Sequence, residues 1–194
     1  MDLELDGKAR RKLLEYIALL DKWNQVHNLT AVRDMAKAVS VHLLDCLAVV
    51  PHVGGKRLLD VGSGPGLPGI PIALARPDTK VTLLDSSHKK AAFLRQAVAE
   101  LHLINAEVRC ERIETWHCET RFDCVISRAF SEISAFVMSA AHVLESQGVF
   151  AAMKGVYPYA EIKRLPAGFR VREVIPLRVP LLGAERHLVL IETT

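Results

Sequence analysis

The sequence contains no run of about 18 or more apolar residues, the length a membrane-spanning helix requires. Its opening stretch, Met1-Asp2-Leu3-Glu4-Leu5-Asp6, is acidic and broken by charge, unlike the basic and then apolar start of a secretory signal. There is no CxxC pair, and Cys46, Cys110, Cys118 and Cys124 have no histidine at ligand spacing, which argues against a zinc or other metal site. Cys110 and Cys124 sit inside apolar runs and are expected to be buried thiols, as suits a reducing cytoplasm. Internal repeats and low-complexity stretches are also missing. The formal charge of +3 is a mild basic bias that permits an RNA partner without demanding one. What is present is a chain of 194 residues, 50% hydrophobic and 24% charged. That suffices for one compact domain, or one domain with a small helical extension.

The apolar pattern divides the chain in two. Leu13, Tyr16, Ile17, Leu20, Trp23 and Val26 recur at three- and four-residue steps and predict a helix over residues 8–28. A second helix is expected from Met35 to Val50, capped by Thr30 or Asp34, before Pro51 and Gly54-Gly55 break the chain. From Arg57 onward short apolar strands alternate with helices. Strands are expected at 57–61, 80–85, 106–110, 122–127 and 149–153, and helices at 68–76, 88–101 and 132–145. Two β-rich runs, 169–179 and 186–192, finish the chain around a short link. Alternation of this kind predicts a mostly parallel, doubly wound α/β sheet. An antiparallel pair at the end points to the seven-stranded sheet of class I, Rossmann-like methyltransferases. We therefore expect a helical N-terminal extension over residues 1–54, packed on a Rossmann-like core over residues 55–194 as one structural unit.

The strongest local signal is Asp60-Val61-Gly62-Ser63-Gly64-Pro65-Gly66-Leu67-Pro68-Gly69, between a strand and a helix. Glycines there let the backbone turn tightly and approach a ligand where a Cβ would clash. The next strand ends in Asp85, a carboxylate placed to accept hydrogen bonds from ribose hydroxyls. The loop also satisfies GxGxxG, so a dinucleotide must be weighed. Against it, Asp60 would repel a pyrophosphate but suits the ammonium of a methionine moiety, and Pro65 and Pro68 remove backbone donors. No GK[ST] follows, so the loop is not a P-loop.

Active sites of open α/β sheets lie at the carboxyl ends of the strands. The fourth strand ends in Ser127-Arg128-Ala129-Phe130. The Asn/Asp-Pro-Pro-aromatic stretch typical of exocyclic-amine methyltransferases is absent there. Cys124 is mid-strand and a poor nucleophile for pyrimidine C5 chemistry. Lys154 leaves ribose 2′-O chemistry open. A target that needs no activation, such as guanine N7 with its exposed lone pair, is consistent with the missing acid–base pair.

Taken together, Asn28-Leu29-Thr30-Ala31-Val32-Arg33, His42 with Asp45, the loop through Ile70-Pro71, Leu83-Leu84-Asp85-Ser86, Ser127-Arg128-Ala129-Phe130, Lys154-Gly155 and Glu185-Arg186-His187-Leu188 resemble the RsmG (GidB, glucose-inhibited division protein B) family. These are bacterial 16S rRNA guanine-N7 methyltransferases, and the likeness runs through nearly the whole chain. Cys46 stands where many members have serine. The resemblance implies S-adenosylmethionine at Gly62, Leu67, Ile113, Glu114 and Arg128, S-adenosylhomocysteine as product, and a guanosine of 16S rRNA as target, naked or in the small ribosomal subunit. We further expect a cytoplasmic enzyme that acts as a monomer, without DNA or membrane partners.

The candidate cofactor residues are thus Asp60, Gly62, Gly64, Gly66, Leu67, Asp85, Ile113, Glu114 and Arg128. Arg128, Lys154, His42 and Asp45 are candidates at the acceptor side. For each a plainer role competes. Asp60 and Asp85 can cap helices, Arg128 can pair with Glu132, and His42 and Asp45 can form a local pair on one helix face. Arg10-Arg11-Lys12, Arg33, Lys89-Lys90, Arg128 and Lys154 are solvated faces or a basic rim for RNA. Trp23 falls on the apolar stripe and is expected in the core. Rival readings are a methyltransferase of the same fold acting on another RNA, a protein or a small molecule, and a non-catalytic nucleotide-binding regulatory protein.

Overall fold

The computed structural model describes residues 3–128 and 130–194, without the side chains of residues 35 and 36. Ala129 of the Ser127–Phe130 stretch lies outside the described residues, as do Met1 and Asp2.

The first helix, α1 (Gly7–His27), starts where Asp6 accepts from the Ala9 N–H and stops at Asn28, whose φ of 49° leaves the helical region. After the short α2 (Met35–Ala38) the expected second helix loosens into a π-helical turn over Val39–Leu44, then tightens into α3 (Asp45–Leu47). Seven strands follow: β1 (Arg57–Val61), β2 (Lys80–Leu84), β3 (Ala106–Arg109), β4 (Phe122–Ser127), β5 (Leu144–Lys154), β6 (Phe169–Pro176) and β7 (His187–Thr193). Their order in the sheet is β3-β2-β1-β4-β5-β7-β6. All neighbours through β5 pair in parallel, and β7 runs antiparallel between β5 and β6. The fold is the expected Rossmann-like α/β sheet with an antiparallel last strand.

The strand residues explain its two-sided core. Successive side chains point to opposite faces. Leu58, Leu83, Cys124, Ile126, Ala151 and Leu188 pack into a layer shared with α1, α4 (Gly69–Ala75) and α5 (His88–Glu100). Their neighbours Leu59, Leu84, Val125, Phe150 and Val189 pack into the other layer, with Trp116 and α6 (Ile133–Ala140). Burying each such large side chain contributes about 1.5–3 kcal/mol, so neither face tolerates charge. Trp23 is partly buried against the first layer, with its ring 5.5 Å from that of Phe93. No described helix is long and apolar enough to cross a membrane.

Some boundaries differ from expectation. α6 stops at Ala140, and β5 begins at Leu144, because Leu144 pairs with Phe122 on β4. A ladder partner outweighs local helix propensity there. A short helix α7 (Tyr159–Lys163), not anticipated, follows β5. Cys110 is half-exposed just past β3 rather than buried, with its sulfur 3.4 Å from His88 Nδ1, whereas Cys124 is buried.

Candidate functional site

The glycine loop is held on both sides by hydrogen bonds. The Gly62 and Ser63 N–H groups donate to the Leu84 carbonyl at 2.8 and 3.0 Å, which ties the loop to the end of β2. The Gly64 N–H donates to Asp85 Oδ2 at 2.9 Å. From behind, the Tyr16 hydroxyl on α1 donates to the Pro65 carbonyl at 2.7 Å. In the sequence Tyr16 read only as one more apolar-stripe residue. The signal available was its polar tip, which needs a partner when the ring is buried. Gly64 and Gly66 have φ of 58° and 97°, the left-handed region that side chains avoid.

A cavity of about 250 Å³ opens where β1, β2 and β3 end. Gly62, Asp85, Ile113, Glu114 and Phe130 line it. Asp85 is 5% exposed. Its Oδ1 accepts from Ser87 N–H at 2.9 Å, and Lys90 Nζ stands 3.4 Å from Oδ2. A carboxylate has about four acceptor positions, so these contacts orient it and leave capacity for a ligand hydroxyl. Apolar Val61, Leu84, Ile113 and Phe130 offer walls for a flat ring. These features fit a nucleoside.

Four of the nine candidate cofactor residues therefore share this cavity. Gly64, Gly66 and Leu67 are buried behind it. Asp60 is fully buried as well and does not reach the wall, so the expected contact to an ammonium is not prepared. Its Oδ2 accepts from the Gly69 N–H at 2.9 Å, at the start of α4, while Oδ1 has no partner among the described residues. Burial pushes its pKa up to about 7, with the Gly69 hydrogen bond opposing.

Arg128 belongs to a second cavity, of about 360 Å³, at the ends of β4 and β5. Asp45, Lys154, Arg186 and His187 line it too. Asp45 is 2% exposed and receives two guanidinium groups, Arg186 Nε at 3.1 Å and Arg128 at 3.6 Å. Burial raises the Asp45 pKa, and the two arginines counter it. Arg128 also donates to the Val41 carbonyl at 3.2 Å. The anticipated Arg128–Glu132 pair does not form, because Glu132 pairs with Arg164 at 3.1 Å. Lys154 is committed: its ammonium meets Glu161 at 2.7 Å and donates to the Phe130 and Ser131 carbonyls at 3.1 and 2.9 Å. It braces the loop after β4 rather than standing free as a base.

His42 does not reach this cavity, nor does it pair with Asp45. Its Nε2 lies 3.0 Å from Thr30 Oγ1, and it lines a void of about 10 Å³ with Asn24. Residues three apart share a face of an α-helix, but the π turn carries more residues per turn and separates them. Burial and nearby Arg128 lower the His42 pKa to about 4. Arg186 was missed as a candidate because its partner Asp45 is 141 positions away, and only its place in Glu185-Arg186-His187-Leu188 marked it.

The expected basic rim is not continuous. Lys12 donates to the Leu101 carbonyl just past the end of α5, near the amino ends of the strands, whereas Lys89 donates to the His27 carbonyl at its start. Arg10-Arg11-Lys12 are thus a helix length away from Lys89-Lys90. A more voluminous cavity, about 960 Å³, is also at the amino ends, among Lys56, Asp78, Asp123 and Glu145. Catalytic loops of open α/β sheets lie at the other end, so size does not identify the site here.

The profile of the rRNA small subunit methyltransferase G family, GidB, matches residues 9–189. A protein of Chromobacterium violaceum named ribosomal RNA small subunit methyltransferase G is 56% identical over 96% of this chain and 90% of its own length. One of the same name from Laribacter hongkongensis is 54% identical over 97% of this chain and 91% of its own. Among solved structures, the glycopeptide N-methyltransferase MtfA with S-adenosylhomocysteine superposes with a TM-score of 0.64 at 15% identity, over 79% of this chain and 87% of that one. At that identity the likeness is one of fold.

Proposed function

The chain belongs to the rRNA small subunit methyltransferase G family, and from that membership we propose its reaction: methyl transfer from S-adenosylmethionine to N7 of a guanosine in 16S rRNA. One observation carries this reading. A nucleoside-sized cavity walled by Asp85 and a second cavity ringed by Arg128, Lys154 and Arg186 open at the same end of one sheet.

S-adenosylmethionine supplies an electrophilic sulfonium methyl when bound, and S-adenosylhomocysteine is what remains. Asp85 would accept hydrogen bonds from the ribose hydroxyls, Ile113 and Glu114 would flank the adenine, and the backbone at Gly62 would border the ligand. Gly64, Gly66 and Leu67 shape the loop from behind, and Asp60 fixes its far end through Gly69. On the acceptor side, Arg128 faces the RNA with Asp45 and Lys154 holding their own neighbours in place, and His42 is a positioning residue behind them. Guanine N7 brings a lone pair and no proton, so the new N–C bond forms as the S–C bond breaks and no side chain takes up a proton. Alignment of the two reactants is then the main device, worth roughly 7–11 kcal/mol in favourable cases. We assign the reaction to the cytoplasm and to a monomer.

The test is transfer of radiolabelled methyl to unmodified 16S rRNA, unmodified small subunits and tRNA, with a no-acceptor control. Label should map to one guanosine by cleavage at N7-methylguanine. Label at another atom refutes N7. Label on no RNA, with S-adenosylhomocysteine still bound, leaves a protein or small molecule as the acceptor.

A further inference from the structure

The segment after β5 carries exposed aromatic rings that neither core layer uses. Tyr159 is 69% exposed and Tyr157 37% exposed. Their ring centroids are 4.2 Å apart, tilted by 36°. The Tyr159 N–H donates to the Tyr157 carbonyl at 3.0 Å, a tight turn around Pro158 that brings the two rings together. His187 buttresses the pair edge-on, its ring 5.5 Å from Tyr157. Its Nδ1 is 2.8 Å from the Gly155 carbonyl, and its backbone is fixed in β7 opposite Lys154. The stack is therefore preorganised on the sheet. His187 and Gly155 also line the cavity of Arg128 and Arg186, so the rings continue its rim.

We propose that Tyr157 and Tyr159 form a stacking platform for an unpaired base of the RNA beside the methylated nucleotide. The proposal rests on the reading of the chain as an rRNA methyltransferase. Three observations favour RNA as the occupant. The rings adjoin a cavity lined by Arg128 and Arg186, two guanidinium groups that share the single Asp45 carboxylate and so leave a net positive charge that suits phosphate. Exposed Lys163 lies four residues beyond Tyr159 on α7, one turn along the same face. Tyrosine offers a wide flat surface with few torsions to freeze, and unstacked RNA bases are commonly held on such rings.

The test compares the wild-type chain with Tyr159→Ala, Tyr157→Ala and Tyr159→Phe. It measures KM and kcat for unmodified small subunits, affinity for a short fluorescein-labelled single-stranded RNA, and binding of S-adenosylhomocysteine. Each alanine variant is expected to raise KM and weaken RNA affinity about tenfold, ~1.4 kcal/mol, the size of one lost base stack. Expected values of kcat and S-adenosylhomocysteine affinity stay near wild type, and Tyr159→Phe, which keeps the ring, behaves as wild type. Wild-type KM and RNA affinity in both alanine variants overturn the proposal. A raised KM with unchanged affinity for the free RNA assigns the surface to a ribosomal protein and overturns it equally. No transfer to any RNA by the wild-type chain defeats the underlying reading instead, and the platform with it.

Discussion

Replacing Gly69 with alanine tests whether the glycine loop is set by packing behind it. A Cβ on Gly69 stands 2.2 Å from Leu83 Cδ2 and 2.7 Å from Asp60 Oδ2. Carbon contacts are comfortable from about 3.5 Å, so α4 and β2 must separate or Leu83 must rotate. Leu83 is fully buried in a close-packed layer and has little room to do so. Overpacking of this kind costs about 1–3 kcal/mol. Displacing Asp60 also breaks its bond from the Gly69 N–H, about 1 kcal/mol more. A loss of about 3 kcal/mol lowers the melting temperature of a chain this size by about 6–12 °C. Gly64→Ala is the control. Its Cβ meets nothing closer than 3.9 Å, so only the positive φ matters, about 1–2 kcal/mol or about 2–8 °C. Thermal melts without ligand, and again with S-adenosylhomocysteine, measure both variants. If Gly69→Ala melts within about 2 °C of wild type, or Gly64→Ala proves the more damaging, the packing argument is wrong.

Three further outcomes follow from the buried polar groups. Asp60 holds its proton up to about 7 when folded but only to 3.8 in the reference state, so stability declines as pH climbs through that window. Asp60→Asn should remove the decline, and urea midpoints that fall in parallel for both chains at about pH 5 and about pH 8 contradict it. His42 has the opposite sign: its folded value of about 4 lies below the ordinary 6.5, so the native state loses stability as pH drops between them. His42→Gln should keep that stability on the acid side, with an unchanged acid limb in urea titrations counting against the assignment. In the native chain, Ellman's reagent should modify Cys110 and Cys118 and spare Cys46 and Cys124, since burial pushes the latter thiols upward, Cys124 to about 12. Equal labelling rates for all four exclude this.

Local patterns were legible in the sequence. The strand over 122–127 has its observed bounds, and the loop from Asp60 to Gly69 with Asp85 behind it forms the turn that its glycines require. What the sequence concealed was partnership at a distance. Nothing near Asp45 announces Arg186, and nothing near Leu144 announces the pairing with Phe122 that ends a helix early. Asp60 is a subtler case. A carboxylate at a strand end beside glycines is equally good as a ligand or as the acceptor for the first turn of α4, and only burial distinguishes them. His42 and Asp45 were linked through α-helical spacing, which the π turn at Val39–Leu44 invalidates.

The placement of β7 bears on how the protein is made. β7 is the last of the seven strands in the chain, yet it lies between β5 and β6 rather than at an edge. During synthesis, β6 therefore leaves the ribosome before it has a neighbour, and the sheet cannot close until residues 187–193 emerge. Gly62, Asp85, Ile113 and Glu114 are translated much earlier, in the loops that follow β1, β2 and β3, strands that already adjoin one another. The cavity bordered by Asp85 thus takes shape first, and Arg186 and His187, which wall the other cavity, arrive only as the final strand slots in. In a nascent chain the second cavity is in this way incomplete until residues 186–193 have emerged.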